Sequence, residues 1–482
     1  MVINMSETNY NKPLLKNARK RSFNETIVSE YQIPLEIKNF GKNKKYLIQT
    51  HGCQANEADS EKLRGLLETE GFFKTDDLNE ADLIIINTCA IRKNAENKVF
   101  GEIGRLKKYK VLNPNLVLAV GGCMPQEEEV VEKLLKTYPQ VDIIFGTHNL
   151  HKFLEYLYRV MIQKERMIEV LSFEGEIVEH VPTVRENRYK AWVNIMYGCD
   201  EFCTYCIVPY TRGKERSRKP IHIIEEINEL ITQGYKEVTL LGQNVNSYGL
   251  DFVNEKYTFA DLLKELSSLP IERIRFTTSH PKDFSFDLID MLAKGKNLMP
   301  YIHLPVQSGS NKILKAMNRK YTKESYLNLI NKIYEKIPDV SITTDIIVGF
   351  PGETEEDFLE TLDLVRQASF EGAYTFVFSP RTGTPAASFI DTTPDLEKKA
   401  RLYKLNEIVN QGYAKGNSRF LNQNVSVLVE GHSKTNPSIL TGYSNHNKLV
   451  NFKGDDSLIG TIVQVKIIKA KTWSLTGELF HE

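Results

Sequence analysis

The sequence predicts a multidomain α/β protein that ends in a small all-β barrel. The chain has 482 residues, which is more than one ordinary core supports. Short apolar runs alternate with helix-like stretches over most of it, a pattern typical of parallel sheets covered by helices. From Val425 onward, valines alternate with polar residues, as in antiparallel strands. We expect these limits: a polar, partly disordered tail (1–43), a doubly wound α/β domain (44–150), a linker (151–188), a partial (β/α)6 barrel (189–416) and the all-β barrel (417–482).

The composition is that of a soluble globular protein and argues against a membrane-spanning one. The chain is 41% hydrophobic and 26% charged, as in soluble globular proteins, and no apolar run approaches the ~20 residues that span a bilayer. The N-terminus lacks the pattern of a secretory signal, so we expect a cytoplasmic protein without a membrane partner. The net charge is zero, so there is no global basic signature of a nucleic-acid binder.

Basic residues are nevertheless concentrated in two runs that could contact phosphate. The first lies in the tail: Lys12, Lys16, Arg19, Lys20 and Arg21. The second follows a cysteine-rich loop: Lys214, Arg216, Arg218 and Lys219. A solvated charged surface is the alternative interpretation of each run.

Three cysteines of the first α/β domain each follow a predicted strand. The strands are expected at 46–49, 83–86, 116–120 and 141–145, and Cys53, Cys89 and Cys123 come after the first three of them. Because the carboxyl ends of parallel strands meet at one edge, the three thiols are predicted to form one cluster site there. The alternative is ordinary packing, since free cysteine is often buried.

The remaining three cysteines lie in one loop at the start of the central domain. Cys199, Cys203 and Cys206 directly follow a strand-like run. Thiolates this close can ligate one metal centre, whereas disulfide partners come in pairs with suitable spacing. An iron–sulfur cluster usually takes four thiolates, so three would leave one iron open to another ligand.

The central domain contains six strand–helix units. Its strands are expected at 191–196, 237–241, 273–277, 301–304, 341–348 and 372–378. Such units favour a partly closed parallel barrel, with chemistry at the carboxyl ends of the strands. Asp345 and Arg319 lie near that rim and could hold a small molecule, although surface ion pairing is the alternative. We assign no proton-transfer role to His280 or His303, because a lone histidine near a strand end is more often structural than catalytic.

The C-terminal region contains five short predicted strands, which suggest a barrel of the oligonucleotide-binding kind. Such barrels bind nucleic acid through basic and aromatic groups. The residues available here are Arg419, Lys434, Lys448, Lys453, Lys469, Lys471 and Trp473. A purely structural cap is the alternative.

Several motifs together resemble a known family. The spacing of the three loop cysteines, with Tyr205 before the last, resembles radical S-adenosylmethionine (SAM) enzymes. A three-cysteine α/β domain before the loop and a β-barrel after it resemble the methylthiotransferase family, whose last domain is called TRAM. The resemblance covers about residues 44–481. Three stretches are most similar to the members that act on isopentenyladenosine in tRNA: Asn87–Arg92, Val99–Lys107 and Phe145–Asn149.

The resemblance implies two 4Fe–4S clusters and SAM as cofactors. Cys199, Cys203 and Cys206 would hold the SAM-binding cluster, where reduction cleaves SAM to a 5′-deoxyadenosyl radical. An auxiliary cluster carrying the sulfur to be inserted would be held by Cys53, Cys89 and Cys123. The residues that would line the SAM site are Tyr205, Gly242, Gln243, Ser279, Gln307, Arg319, Asp345 and Phe378.

The implied reaction is methylthiolation of C2 of N6-isopentenyladenosine, next to the anticodon of tRNA, with SAM as both radical source and methyl donor. Alternatives are the same reaction on threonylcarbamoyl-adenosine in tRNA, or on an aspartate of a ribosomal protein. From another class, the chain could be a non-catalytic zinc- or iron-binding RNA module. The expected partners are a tRNA anticodon stem-loop, a one-electron reductant such as flavodoxin or ferredoxin, and a sulfur donor. We expect a monomer.

Overall fold

The structure, a computed structural model, describes residues 13, 26–90, 93–172 and 175–480, with the side chains of 93–95 also left out of the description. Most of the predicted tail, 1–43, lies outside the described residues. The chain divides into two compact units. The first contains the described residues up to Glu186 together with Met196–Phe202 and Cys206–Arg218, and the second contains Asn187–Ile195, Cys203–Tyr205 and the chain from Lys219 onward.

The first unit is built around a six-stranded parallel sheet of order β3-β2-β4-β5-β6-β7. The strands from the start of the chain are β1 (Val28–Glu30), β2 (Lys45–His51), β3 (Phe73–Lys74), β4 (Leu83–Thr88), β5 (Val117–Gly122), β6 (Ile143–Phe145), β7 (Met167–Glu169) and β8 (Ile177–Glu179). The helices are α1 (Gln54–Thr69), α2 (Lys93–Leu112), α3 (Glu128–Thr137) and α4 (Phe153–Tyr158).

The sheet is covered on both faces, as its continuous apolar strands require. In β4, Ile84 and Ile86 pack in one hydrophobic cluster while Leu83 and Ile85 pack in the other, and all four are fully buried. This confirms the predicted doubly wound α/β fold.

The segment 151–188, predicted as a linker, has its own secondary structure within the first unit. It contributes α4 and the edge strand β7 to the sheet region, and its β8 pairs in parallel with β1. The domain limits given above stay a prediction.

The central part contains the six predicted strands. In chain order its elements are β9 (Lys190–Asn194), β10 (Met196–Tyr197), α5 (Val208–Thr211), β11 (Arg216–Ser217), α6 (Pro220–Thr232), β12 (Glu237–Leu241), α7 (Phe259–Leu266), β13 (Arg273–Thr277), α8 (Phe286–Lys294), β14 (Tyr301–His303), α9 (Asn311–Ala316), α10 (Lys323–Lys336), β15 (Ser341–Val348), α11 (Glu355–Ala368) and β16 (Gly372–Val377). The short antiparallel pair β10–β11 belongs to the first unit.

The second unit contains the six parallel strands of the central domain. They form the sheets β9-β12-β13 and β14-β15-β16, which an isolated parallel bridge between Ile274 and Leu298 joins. The predicted partial (β/α)6 barrel is therefore confirmed, and its strand ends define a rim where ligands bind.

The chain ends in a closed five-stranded barrel of order β17-β18-β19-β21-β20, as predicted. After the long helix α12 (Asp395–Ser418) its strands are β17 (Asn424–Ser433), β18 (Asn436–Ser444), β19 (Leu449–Phe452), β20 (Ile462–Ala470) and β21 (Leu475–Leu479). Val427, Val429 and Val450 are fully buried in its core.

The closed barrel contacts the amino ends of the central strands through buried charges. Glu371, just before β16, pairs with Arg419 and Lys448 at 2.8 Å each. At the start of β13, Arg273 donates to the carbonyl of Tyr443 at 2.9 Å. Of the residues available for RNA contact, Lys448 is buried between the two domains, whereas Arg419 is partly exposed and its contact with RNA stays a prediction.

In the described ranges, no helix combines the length and apolar character needed to cross a membrane.

Candidate functional site

Strand register brings Cys53, Cys89 and Cys123 to the same edge of the first sheet. His51, Thr88 and Gly122 are paired across β2, β4 and β5, so the residues that follow them emerge at one level. Cys89 and Cys123 are buried and Cys53 is half-buried. The predicted convergence of these three positions follows from the parallel register.

Asn56 connects the three cysteine-bearing turns. Its side-chain oxygen accepts a hydrogen bond from the thiol of Cys53 at 3.4 Å, and its amide donates to the carbonyl of Thr88 at 3.1 Å. The same carbonyl accepts the backbone N–H of Cys123 at 2.8 Å. Asn87 donates back to the Asn56 carbonyl at 2.8 Å, so the turn geometry is set by buried, paired amides.

The surroundings of Cys53 favour its thiolate form. It lies at the N-cap of α1, and its pKa is lowered to about 5 by a hydrogen bond from Cys89, the Arg212 guanidinium and backbone N–H groups of the helix start, against the opposing effect of burial. The thiolate, and not the thiol, is the form of cysteine that ligates a metal.

Cys123 has a different environment, dominated by one cation. Burial raises the pKa of the Cys123 thiol, and the Arg212 guanidinium opposes that rise. The Nε of Arg212 donates to Cys123 Sγ at 3.2 Å, and its Nη2 donates to Asp59 Oδ2 at 2.8 Å. Burial acts to lower the pKa of Arg212, but Asp59 and the two cysteines hold it well above its ordinary value.

The donor set of this triad fits an iron–sulfur cluster. Three soft sulfur ligands lie at one sheet edge beside a cation that stabilises their thiolate form. Gly121 and Gly122 leave no room for side chains there: a Cβ on Gly122 would lie 2.3 Å from the Thr88 carbonyl oxygen. The backbone is therefore closely packed beneath the cysteines.

Two cysteines of the second triad belong to the same unit as the first triad. The N–H of Cys199 donates to the carbonyl of Gly213 at 3.1 Å, beside the β10–β11 pair. After Cys206, Ile207 and Tyr210 pack in one cluster with Ala90 and Cys123. The short helix α5 thus leads from Cys206 directly to Arg212.

Cys203 belongs to the second unit, where a buried arginine contacts it. Nη1 of Arg319 donates to Cys203 Sγ at 3.4 Å, Nη2 donates to the Pro305 carbonyl at 2.9 Å, and Nε donates to the Tyr321 hydroxyl at 2.7 Å. Arg319 was predicted to contact SAM. The structure places its guanidinium on a thiol of the cysteine loop.

Two of the predicted SAM-site residues have unusual features. Gln307 has a positive φ of 70°, which is rare for a residue with a side chain, and β15 holds it there through hydrogen bonds with Asp345 and Ile347. Ser279 Oγ is buried and has no hydrogen-bond partner among the described residues. A buried hydroxyl without a described partner is expected where a ligand supplies the missing contact.

The other predicted SAM-site residues lie along the same barrel rim. Gly242 and Gln243 directly follow β12, and Phe378 directly follows β16. Phe378 is buried and packs with Phe350, and Tyr205 lies against the same apolar cluster. Asp345 is partly exposed on β15, with His303 Nε2 at 3.4 Å from its carboxylate.

Two of the four basic residues after the cysteine loop make internal contacts. Arg218 makes a bidentate, buried pair with Glu179, with its Nε at 2.9 Å from each carboxylate oxygen. Arg216 is buried and donates to the carbonyl of Gly175. The prediction that these two arginines contact phosphate is therefore wrong for this structure.

Sequence reasoning missed Asn56, Asp59 and Arg212 as parts of the first site. Asn56 and Asp59 lie three and six residues after Cys53, on α1. That helical spacing after a cysteine was the available signal. Nothing local pointed to Arg212, whose partner Asp59 is 153 residues away in the chain.

Three family models match the chain. The Radical SAM superfamily matches residues 193–365, the model described as uncharacterized protein family UPF0004 matches residues 45–146, and the TRAM domain matches residues 419–480. The first of these implies a 4Fe–4S cluster and SAM as cofactors.

Solved structures share the fold. Two are of a radical S-adenosylmethionine methyltransferase, TsrM, from Kitasatospora setae. One, with tryptophan and a SAM analogue, has a TM-score of 0.51 and 15% identity over 72% of this chain and 75% of that one. The other, with cobalamin and a [4Fe-4S] cluster, has a TM-score of 0.52 and 16% identity over 71% and 77%.

Curated relatives match nearly the whole chain under one name, tRNA-2-methylthio-N(6)-dimethylallyladenosine synthase. The protein of Geobacillus kaustophilus is 57% identical over 98% of this chain and 89% of the relative. That of Bacillus cytotoxicus is 55% identical over 98% and 93%. With all three domains and both cysteine triads in place, the chain belongs to the tRNA-2-methylthio-N(6)-dimethylallyladenosine synthase family of radical SAM methylthiotransferases.

Proposed function

We propose that this chain methylthiolates C2 of N6-isopentenyladenosine next to the anticodon of tRNA, using SAM as radical source and as methyl donor. The observation that carries the proposal is two separate cysteine triads in a chain 57% identical to a synthase of that name. No finding favours threonylcarbamoyl-adenosine or a ribosomal protein as the substrate.

In this proposal each triad holds one 4Fe–4S cluster. Cys199, Cys203 and Cys206 hold the SAM-binding cluster, and an auxiliary cluster is held by Cys53, Cys89 and Cys123. When bound, the first cluster supplies the electron that cleaves SAM and the second supplies the sulfur for transfer. An aromatic C–H bond offers acid–base groups little to act on, so the protein contributes binding, orientation and exclusion of water.

The residues at the barrel rim would orient SAM. Ser279 Oγ offers a hydrogen-bonding group in a buried place, and Gln307 is buried nearby in the chain region after β14. Phe378 and Tyr205 form an apolar wall that keeps water from the reacting atoms. Gly242 and Gln243, after β12, and the Asp345 carboxylate complete the proposed set.

The closed barrel offers an exposed surface for RNA. Trp473 is 62% exposed, with its ring 4.6 Å from that of Tyr413. An exposed aromatic ring can stack on a base, and exposed lysines of the same domain can contact phosphate. These lysines are Lys434, Lys453, Lys469 and Lys471. We propose that this surface binds the anticodon stem-loop. The reductant, the sulfur donor and the monomeric state stay predictions.

The test is a reaction of anaerobically reconstituted full-length protein with SAM, dithionite and two purified tRNAs. One carries isopentenyladenosine and the other threonylcarbamoyl-adenosine. Mass spectrometry of the digested nucleosides should find the 2-methylthio product on the first tRNA alone. Product on the second tRNA alone would reassign the substrate. A colourless zinc protein that leaves SAM intact would replace the enzyme with a binding module.

A further inference from the structure

A buried arginine contacts one ligand of the first cysteine triad, and it comes from the segment that carries the second. Arg212 lies six residues after Cys206 and donates through Nε to Cys123 Sγ at 3.2 Å. Its relative exposure is 8%, so water does not screen this contact. The guanidinium therefore acts on the thiolate at close range and in a low-dielectric environment.

Asp59 fixes the orientation of that guanidinium. Its carboxylate accepts from Nη2 of Arg212 at 2.8 Å and is itself buried, on the helix that begins after Cys53. A guanidinium is planar, so one bond to a fixed carboxylate determines where its remaining donors point. One of those donors points at Cys123.

The three thiols of the triad are supported unequally. Cys53 lies at a helix N-terminus, whereas Cys123 is 4% exposed and accepts a hydrogen bond from the Arg212 guanidinium. A buried thiolate needs a donor or a cation, since desolvation penalises its charge. Arg212 supplies both to Cys123.

We propose that Arg212 is a positioning residue that orients Cys123 as a ligand of the auxiliary cluster and raises the reduction potential of that cluster. The proposal rests on the proposed function, which assigns a cluster to this triad. Hydrogen bonds to ligating sulfurs and nearby positive charge favour the reduced, more negative cluster. Arg212 offers both effects from one side chain.

The experiment isolates the auxiliary cluster in the full chain. Cys199, Cys203 and Cys206 are replaced by alanine so that only the first triad binds iron. In this background three variants are compared after anaerobic reconstitution: Arg212→Gln, Arg212→Lys and Arg218→Gln. Arg218 is the matched control, because it lies on the same segment and makes a buried pair with Glu179. Redox titration followed by electron paramagnetic resonance measures the potential.

For Arg212→Gln we expect about a tenfold lower ratio of reduced to oxidised cluster at a fixed potential, which is a shift of about 59 mV to more negative values for a one-electron couple. Arg212→Lys should give an intermediate value, because it keeps the charge and loses the fork geometry. Arg218→Gln should match the background. Equal potentials in Arg212→Gln and Arg218→Gln would overturn the proposal.

Variants that do not retain a cluster are compared by cobalt(II) binding to the apo-protein, with sulfur-to-cobalt charge-transfer absorption as the readout. Weaker absorption in Arg212→Gln than in Arg218→Gln supports the positioning role, and equal absorption contradicts it. If the background itself binds neither a cluster nor cobalt(II), the proposed function fails with the inference. If instead the background binds a cluster normally and its potential does not change on replacement of Arg212, only the inference fails.

Discussion

His280 is a buried histidine that remains neutral. Burial, together with the nearby cations Arg319, Lys282 and Lys320, lowers its pKa to about 2. Its Nδ1 accepts the backbone N–H of Lys282 at 3.2 Å, which fixes the neutral tautomer. The side chain therefore supports the turn after β13 and does not carry a proton at physiological pH.

This burial makes stability depend on pH. Below about pH 6.5 an unfolded His280 binds a proton and the folded one does not, so stability is lost as pH falls, by about 1.4 kcal/mol per pH unit. We expect the free energy of urea-induced unfolding to fall less between pH 7 and pH 5 in His280→Gln than in the parent chain. Identical slopes for the two proteins would contradict the neutral, buried state.

At the scale of residues, the sequence indicates the six cysteines but not the side chains that contact their thiols. All six thiols stand out by position after strands or by spacing within a loop. Arg212 and Arg319 contact thiols that lie 89 and 116 residues away. Local patterns contain no information about such pairs, since tertiary folding alone brings them together.

At the scale of elements, the turn after β5 determines the position of Cys123. Gly122 has φ of +96°, and a Cβ there would lie 2.3 Å from the Thr88 carbonyl oxygen and 2.5 Å from Asn87 Oδ1. A side chain would therefore strain the backbone and push the two turns apart.

We expect Gly122→Ala to lower the free energy of unfolding by about 1–3 kcal/mol and to reduce iron binding by the first triad. Gly101→Ala is the control: Gly101 lies in α2 with no atom within 4 Å of its added Cβ, so the change should stabilise by about 1 kcal/mol. Urea unfolding and iron analysis measure both effects. Unchanged iron content in a folded Gly122→Ala protein would show that the turn tolerates a side chain.

A second element, the start of β16, depends on a charged contact with the closed barrel. Glu371 accepts from Ser341 at 2.6 Å and pairs with Arg419 and Lys448. Removing its charge leaves Lys448 buried without this counterion, so Glu371→Gln should cost about 3–5 kcal/mol. Limited proteolysis should then cleave near α12 at lower protease concentration. A midpoint of thermal unfolding equal to the parent's would contradict this role.

Strands with a sustained pattern were predictable, and short edge strands were not. The strands of the central and C-terminal domains lie close to their predicted positions because each has several alternating or apolar residues. Strands β1 and β7 have three residues each, too few for a period to be recognised. They are strands because β1 pairs with β8 and β7 pairs with β6, both in parallel.

At the scale of the whole molecule, the first triad lies within one unit, whereas the cysteines of the second triad are divided between the two units. The first unit contains Cys53, Cys89, Cys123, Cys199 and Cys206, and the second contains Cys203 with its arginine. The proposed function assigns one cluster to each triad and a separate task to each cluster. One generates the radical and the other holds the group to be transferred.

The most direct test of this division compares Cys203→Ala with Cys89→Ala in the reconstituted full-length protein. Each is incubated with SAM, dithionite and tRNA carrying isopentenyladenosine, and one mass-spectrometric run measures both 5′-deoxyadenosine and the 2-methylthio nucleoside. We expect Cys203→Ala to form neither product, and Cys89→Ala to form 5′-deoxyadenosine without the methylthio nucleoside. Loss of both products in both variants, with the untouched cluster still present in each, would contradict the division of tasks between the two triads.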